Sequence, residues 1–268
     1  MKRFNSINSI ALNELLKWYK SPKILMLFFF IITIIYQAAA PALQVSQQLG
    51  YRIAPWVYPM LFYHSYTQLV LSFSLILLFS NAPFIDVNQR YIMIRSGKRM
   101  WVNACMWYII LASAIFNIVV LLLSILSILP NTFLTLEWGK VITSIAYLPA
   151  SAKTPFYVSK ALITTYSPLE AVLHSLSLQF LLDIFLGEVM FIFNYLFYKP
   201  IGTIISVAVV LSRLMISDKW SFISPATIAN LDMIDSLPYS YCFFLIAIGV
   251  LWAAAVRITS KSEVDRHV

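Results

Sequence analysis

Three stretches of this chain, residues 24–43, 61–80 and 101–129, run for about twenty residues or more without one Asp, Glu, Lys or Arg. A helix rising about 1.5 Å per residue needs about 20 mostly apolar residues to cross about 30 Å of hydrocarbon. Each run is therefore read as a membrane span. Three more spans are read at 175–198, 201–217 and 239–256, and these are less clean because Asp183, Glu188 and Arg213 fall inside them. Overall, 60% of residues are hydrophobic, 11% are charged and the mean hydropathy is +0.81. That is more apolar surface than a water-soluble domain can bury. The predicted fold class is all-α: a single transmembrane domain over 1–268, with six transmembrane helices. The first run is too long for a signal-peptide core and its tail, Gln37 to Pro41, offers no convincing cleavage site, so a cleaved leader is not expected.

Lysine and arginine are retained on the cytoplasmic side of a membrane. With six spans, one side receives Lys2, Arg3, Lys17, Lys20, Lys23, Arg90, Arg95, Lys98, Arg99, Lys199, Arg257, Lys261 and Arg266. The other receives Arg52, Lys140, Lys153, Lys160 and Lys219, which is 13 against 5 with Arg213 intramembrane. Both termini are thus predicted to be cytoplasmic, and the net charge of +8 reports topology and contact with anionic membrane lipids; no nucleic-acid partner is implied. Cys105 and Cys242 fall near span ends on opposite sides and are not expected to pair.

Ahead of the first span, residues 4–20 place Phe4, Ile7, Ala11, Leu12, Leu15, Trp18 and Tyr19 on one side of a helix, and Ser6, Ser9, Asn13, Lys17 and Lys20 on the other. This is the pattern of an amphipathic helix lying in the cytoplasmic headgroup layer, ended by Ser21 and Pro22. Residues 81–100 form a short polar connection in which Asn81, before Ala82 and Pro83, can start a helix and Gly97 can turn the chain into the third span. The connection is long enough for one cytoplasmic helix that a partner could grip. The outer loop, 130–174, contains an expected interfacial helix near 136–148 and ends in Ser167, Pro168 and Glu170, a helix-start signature. Residues 218–238 are too polar to span and too apolar for an ordinary loop, and are read as an outer, re-entrant segment.

Sequence signatures of catalysis are missing. A phosphate-binding loop would need glycines where Ile92 and Leu134 stand, five residues before Gly97 and Gly139. There is no HExxH, GxSxG or CxxC, and the histidines are His64, His174 and His267. Neither a catalytic residue nor a metal site is predicted, and the chain is read as not an enzyme. Trp56, Tyr58, Trp138 and Trp220 are read as interface anchors.

An ionisable side chain in mid-bilayer demands compensation. On the fourth span, Gln179, Asp183, Gly187, Met190 and Asn194 share a narrow stripe, whereas Glu188 is rotated about 140° from Asp183. The stripe is expected to face other helices or an aqueous cavity. Counting depth from Leu176 and Ser217 puts Asp183 about 10 Å and Arg213 about 6 Å into the membrane, so an Asp183–Arg213 ion pair is expected, the alternative being Arg213 snorkelling outward on its own. Gln179, Asp183, Glu188, Asn194 and Arg213 serve either packing or the translocation path; the residues leave both readings open.

The stretch NAPFIDVNQRYIMIRSGKRMW, the apolar helix ending LSILSILPN and the following WGKVI resemble permease subunits of Gram-positive ABC-2-type exporters. The similarity covers residues 81–142 and elsewhere rests on layout; the large loop at 130–174 departs from it. The resemblance implies a bacterial cytoplasmic-membrane protein that pairs with a second permease copy or a homologous permease. It also implies docking on an ATP-binding cassette subunit through 81–100, with Asp86, Arg90, Tyr91, Arg95, Gly97 and Lys98 as the coupling residues. ATP and Mg would then belong to that partner, this chain holding no cofactor, and the cargo would be a peptide, an antimicrobial compound or a lipid-like molecule. The alternatives are a bacteriocin-immunity or scaffold protein that does not transport, and a proton-coupled carrier. Cysteine labels at the termini and Gly97 should react from the cytoplasm, and labels at Ser151 and Ser236 from outside; inside-only labelling of Ser151 would end the six-span topology.

Overall fold

The computed structural model describes residues 2–62, 65–85, 87–148, 158–197, 200–215, 226 and 237–261. Among these the chain is all-helical apart from one isolated bridge between Ile53 and Thr132. Helix α1 (Lys2–Leu16) tightens into a 3-10 turn over Lys17–Lys20, and Ser21, with extended backbone, releases the chain so that Pro22 occupies the first turn of α2 (Pro22–Leu49). There its missing N–H is harmless and its fixed φ already suits the helix. α2 runs past Pro41 and past the expected end at 43, because Ala42, Val45 and Ser46 are still buried; it stops at Gly50, in the left-handed region at φ 67°.

α3 (Tyr58–Leu61) is a single fully buried turn ahead of α4 (Ser65–Phe79). The connection carries α5 (Val87–Ser96), followed by α6 (Lys98–Ile128), α7 (Gly139–Ala146) and α8 (Lys160–Thr165). Then come α9 (Pro168–Leu196), α10 (Ile201–Met215) and α11 (Leu237–Lys261). Among the described residues, four helices are long and apolar enough to cross a membrane: α2, α6 with its 3-10 extension to Asn131, α9 and α11. α4 and α10 are apolar but have 15 residues each, about 22 Å at 1.5 Å per residue.

α9 is the axis of the bundle. Of its most apolar stretch 78% is buried, against 22% for α2 and 17% for α11, and it packs on α3, α4, α6, α10 and α11. Its start is the expected one: the Ser167 hydroxyl accepts from the Glu170 N–H at 3.5 Å, while the Glu170 carboxylate accepts from the Ser167 N–H at 2.9 Å. α6 is antiparallel to α9, with Trp101 beside Phe191 near one end and Asn117 bonded to Asp183 further along.

Several boundaries depart from expectation. No helix starts at Asn81: residues 81–83 form a turn, Phe84 takes φ 63°, and α5 begins only at Val87. α7 begins at Gly139 and not at 136, because Gly139 sits at φ 74° with the Phe133 ring 3.2 Å from where a Cβ would stand. The leader helix also has a second face. Ala11 and Glu14 are buried and Leu15 and Trp18 pack on the core, whereas Leu12, Leu16 and Tyr19, about 100° further round, are exposed. The anticipated re-entrant segment at 218–238 lies outside the described residues, except for Ala226 and the first residues of α11.

Close backbone approach governs the packing of α10 on α9. A Cβ on Gly202 would lie 2.4 Å from the Met190 carbonyl oxygen and 2.8 Å from the Asn194 nitrogen, whereas one on Gly249 would meet nothing within 4 Å. Gly202→Ala should therefore lower stability by about 1 to 3 kcal/mol through forced separation of α9 and α10. Gly249→Ala should be neutral or stabilising by up to about 1 kcal/mol. Thermal unfolding of both variants in detergent would check the contrast.

Candidate functional site

Two arrangements hold the residues singled out by sequence. The first is the connection between α4 and α6. Backbone bonds from Ala82 N–H to Phe79 O at 2.8 Å and from Phe84 N–H to Asn81 O at 2.8 Å fold the chain back, burying Ala82, Pro83 and Phe84. α5 then lies against α6 with Gln89 and Met93 inward, one turn apart. The Gln89 amide donates to Glu14 of α1, and its carbonyl accepts from the Trp101 indole of α6 at 2.9 Å. Glu14 also takes the ammonium of Lys17. The leader helix, distant in sequence, and the consecutive helices α5 and α6 are thereby pinned at one buried amide.

The opposite side of α5 is open. Tyr91 is 68% and Ile94 71% exposed, with Arg95 beside them. Arg90 belongs to the same helix, and Asp86 lies outside the described residues. Gly97, at φ 85° and with open space within 4 Å of where a Cβ would stand, turns the chain into α6. Gly97, half-buried Lys98 and exposed Arg99 border a hollow of about 700 Å³ shared with Ile7, Asn103 and Ser260.

The second arrangement is the polar stripe of α9. Gln179, Asp183, Met190 and Asn194 are all buried against other helices. Asp183 accepts from the Asn117 amide of α6 at 2.7 Å and from the Gln179 amide one turn earlier at 3.1 Å; Asn117 in turn faces the Tyr58 hydroxyl of α3 at 3.4 Å. Asn194 donates to the Ala82 carbonyl at 3.0 Å and accepts from the Gly202 N–H at 2.7 Å, so it ties both the connection and α10 to α9. Glu188, on a different face, is fully buried and its carboxylate makes no hydrogen bond among the described residues.

The expected Asp183–Arg213 ion pair is not formed. Arg213 is buried and donates to Gln68 of α4, and the one ion pair among the described residues is Lys17–Glu14. Depth alone suggests the match; which neighbour each side chain faces decides otherwise. Nor do the described residues bring together a cluster of His, Cys, Asp or Glu able to hold a metal ion. The residues that complete these sites, Glu14, Gln89, Trp101, Asn117, Gln68 and Tyr58, are not singled out for these roles by sequence. For Asn117 and Gln68 a signal exists: each is an amide inside a run without charged residues.

No family model, curated protein or solved structure matches this chain. Function is therefore read from the geometry. Hydrogen bonds between membrane helices contribute about 0.6 to 2 kcal/mol each. Asn117→Leu should thus lower stability by about that amount and couple to Asp183→Asn in a double-mutant cycle. The coupling of Asp183→Asn with Arg213→Gln should be the smaller of the two, as read from detergent unfolding midpoints.

Proposed function

We propose that this chain is the membrane-spanning subunit of an ATP-driven exporter, its ATP hydrolysed on a separate ATP-binding cassette subunit. In this reading both termini face the cytoplasm of a bacterial cell and the chain crosses the membrane six times. The apolar helices α4 and α10 then serve as the shorter crossings beside the four long ones. The observation that carries the proposal is α5. It is a ten-residue helix set between two apolar helices, held on one side by Gln89 and presenting Tyr91, Ile94 and Arg95 on the other. An exposed apolar pair with a basic residue beside it suits a partner's cleft, and the basic hollow at Gly97 and Lys98 enlarges the surface on offer.

Mechanically, a push on α5 by a partner closing around ATP is delivered through Gln89 to Trp101 on α6 and Glu14 on α1. From α6 it reaches Asn117 and Asp183 on the central helix. A paired permease would supply the other half of the path, and the cargo is a peptide, an antimicrobial compound or a lipid-like molecule. The buried acids Asp183 and Glu188 keep a proton-coupled carrier as the second reading: its activity would collapse with the proton gradient and survive ATP depletion.

Purification from native membranes should recover a nucleotide-binding subunit with this chain and an associated ATPase activity. Losing an interface anchor removes about 1 to 2 kcal/mol of binding, so Ile94→Asp should weaken the complex about tenfold. Combined charge reversal of Arg90 and Arg95 should do the same without preventing membrane insertion. A complex that is recovered unchanged, with coupled ATPase intact, removes α5 from the mechanism. Recovery of a partner that does not hydrolyse ATP would favour a scaffold or immunity role.

A further inference from the structure

Where the 3-10 turn Lys17–Lys20 passes into α2, the ends of α1, α2 and α4 enclose a pocket of about 290 Å³. Its polar wall is made by Glu14, Lys17, Ser21, Lys23 and Asn81, and Trp18 closes one side with its indole bonded to the Tyr108 hydroxyl at 3.0 Å. Glu14 is already engaged by Lys17 and by Gln89. Lys23 has no carboxylate partner among the described residues; its ammonium reaches only the Ser80 hydroxyl at 2.5 Å. Among the described lining residues, two lysines stand against one glutamate, one positive charge in excess. Ser21 stands at the start of α2 without making a side-chain capping bond, and Asn81 is exposed.

The surroundings of the pocket are apolar and face outward. Tyr19 is 94% exposed and Met26 72%, with Leu25 and Leu77 also exposed on the helices that form it. A ligand suited to both features has an anionic head and a hydrocarbon tail. We propose that this pocket binds the phosphate of an anionic phospholipid from the adjoining leaflet, with Lys23 as the charge partner and Ser21 and Asn81 as hydrogen-bond donors. Basic pockets between membrane helices at the cytoplasmic boundary take lipid headgroups in this way. Free inorganic phosphate shares the head chemistry but would leave the apolar surroundings unused. The proposal rests on the chain being membrane-embedded and is independent of the exporter reading. Because Glu14 belongs both to the pocket wall and to the Gln89 junction, the site adjoins the element proposed to couple to ATP.

The test is native mass spectrometry of the full chain in detergent, titrated in separate arms with dioleoylphosphatidylglycerol, dioleoylphosphatidylcholine and inorganic phosphate. One phosphatidylglycerol should be retained in preference to phosphatidylcholine. Lys23→Met, which keeps the stem and removes the charge, should weaken that binding about fivefold, the equivalent of one lysine's attraction at an anionic surface. Lys23→Arg should retain it, and so should Lys20→Met, which removes an exposed lysine outside the pocket. Should Lys23→Met fail to fold, Asn81→Ala carries the same test, and it too should weaken retention. Equal losses from Lys20→Met and Lys23→Met would assign the effect to diffuse surface charge and overturn the site. Unchanged retention in the pocket variants, or Lys23-dependent binding of inorganic phosphate without lipid binding, would overturn it as well.

Discussion

A polar side chain in an apolar bundle has no water to turn to, so a partner on a neighbouring helix holds that helix in place. That constraint organises this protein around α9. The backbone amides of a membrane helix satisfy one another, and apolar side chains gain little from choosing one helix over lipid. Position along and around each helix is therefore set by the few polar contacts. Asp183 draws in Asn117 and Gln179, Asn194 draws in Ala82 and Gly202, and Arg213 draws in Gln68. Together they fix α4, α6, α9 and α10 relative to one another. Gly202 lets the backbones come close enough for the Asn194 bond to form.

At one end of the bundle the same logic extends to elements outside the apolar core. Gln89 is buried at 1% exposure although it belongs to a short polar helix. Its amide serves as donor and acceptor at once, to Glu14 and from Trp101. An apolar residue there could pack but could not select both neighbours. The leader helix is consequently docked on the bundle through Ala11, Glu14, Leu15 and Trp18, and it presents Leu12, Leu16 and Tyr19 outward. A helix with two apolar stripes about 100° apart can lie in an interface and grip protein simultaneously.

How much of this can be read from the residues depends on the range over which each signal acts. The four long apolar helices, the Ser167–Glu170 cap, the turn at Gly97 and the inward stripe of α9 are local, set by periodicity and by backbone geometry within a few residues, and they fall on stretches expected from sequence. The Asp183–Arg213 pairing fails because depth along two helices says nothing about how each is rotated toward third parties. Asn117 and Gln68 settle that question from α6 and α4. The start of α5 departs from expectation for a related reason: Asn81 to Pro83 are favourable for a helix start, but burial of Ala82, Pro83 and Phe84 against the bundle holds them in a turn. Glu14 is hidden by its neighbours, since a lone acid in a basic amphipathic helix reads as surface until its partners on α5 are known.

Rigidity is unevenly distributed as a result. α9 is keyed to neighbouring elements by polar contacts from His174 through Asp183 to Asn194. α11 has described polar contacts to other helices at two levels: Tyr241 meets His174 at 3.0 Å as well as Ser177, and Trp252 donates to Asn103 at 2.9 Å. Between those levels it packs through apolar contacts such as Phe244 on Phe185, which tolerate sliding better than hydrogen bonds tolerate breaking. α2 is bound to the bundle by the Lys23–Ser80 contact near its start and otherwise by apolar packing over a largely exposed length. A displacement entering at α5 would therefore meet a stiff path through α6 to α9. Its freedom to rearrange lies at α2 and α11, the two long helices whose surfaces the rest of the chain leaves most uncovered.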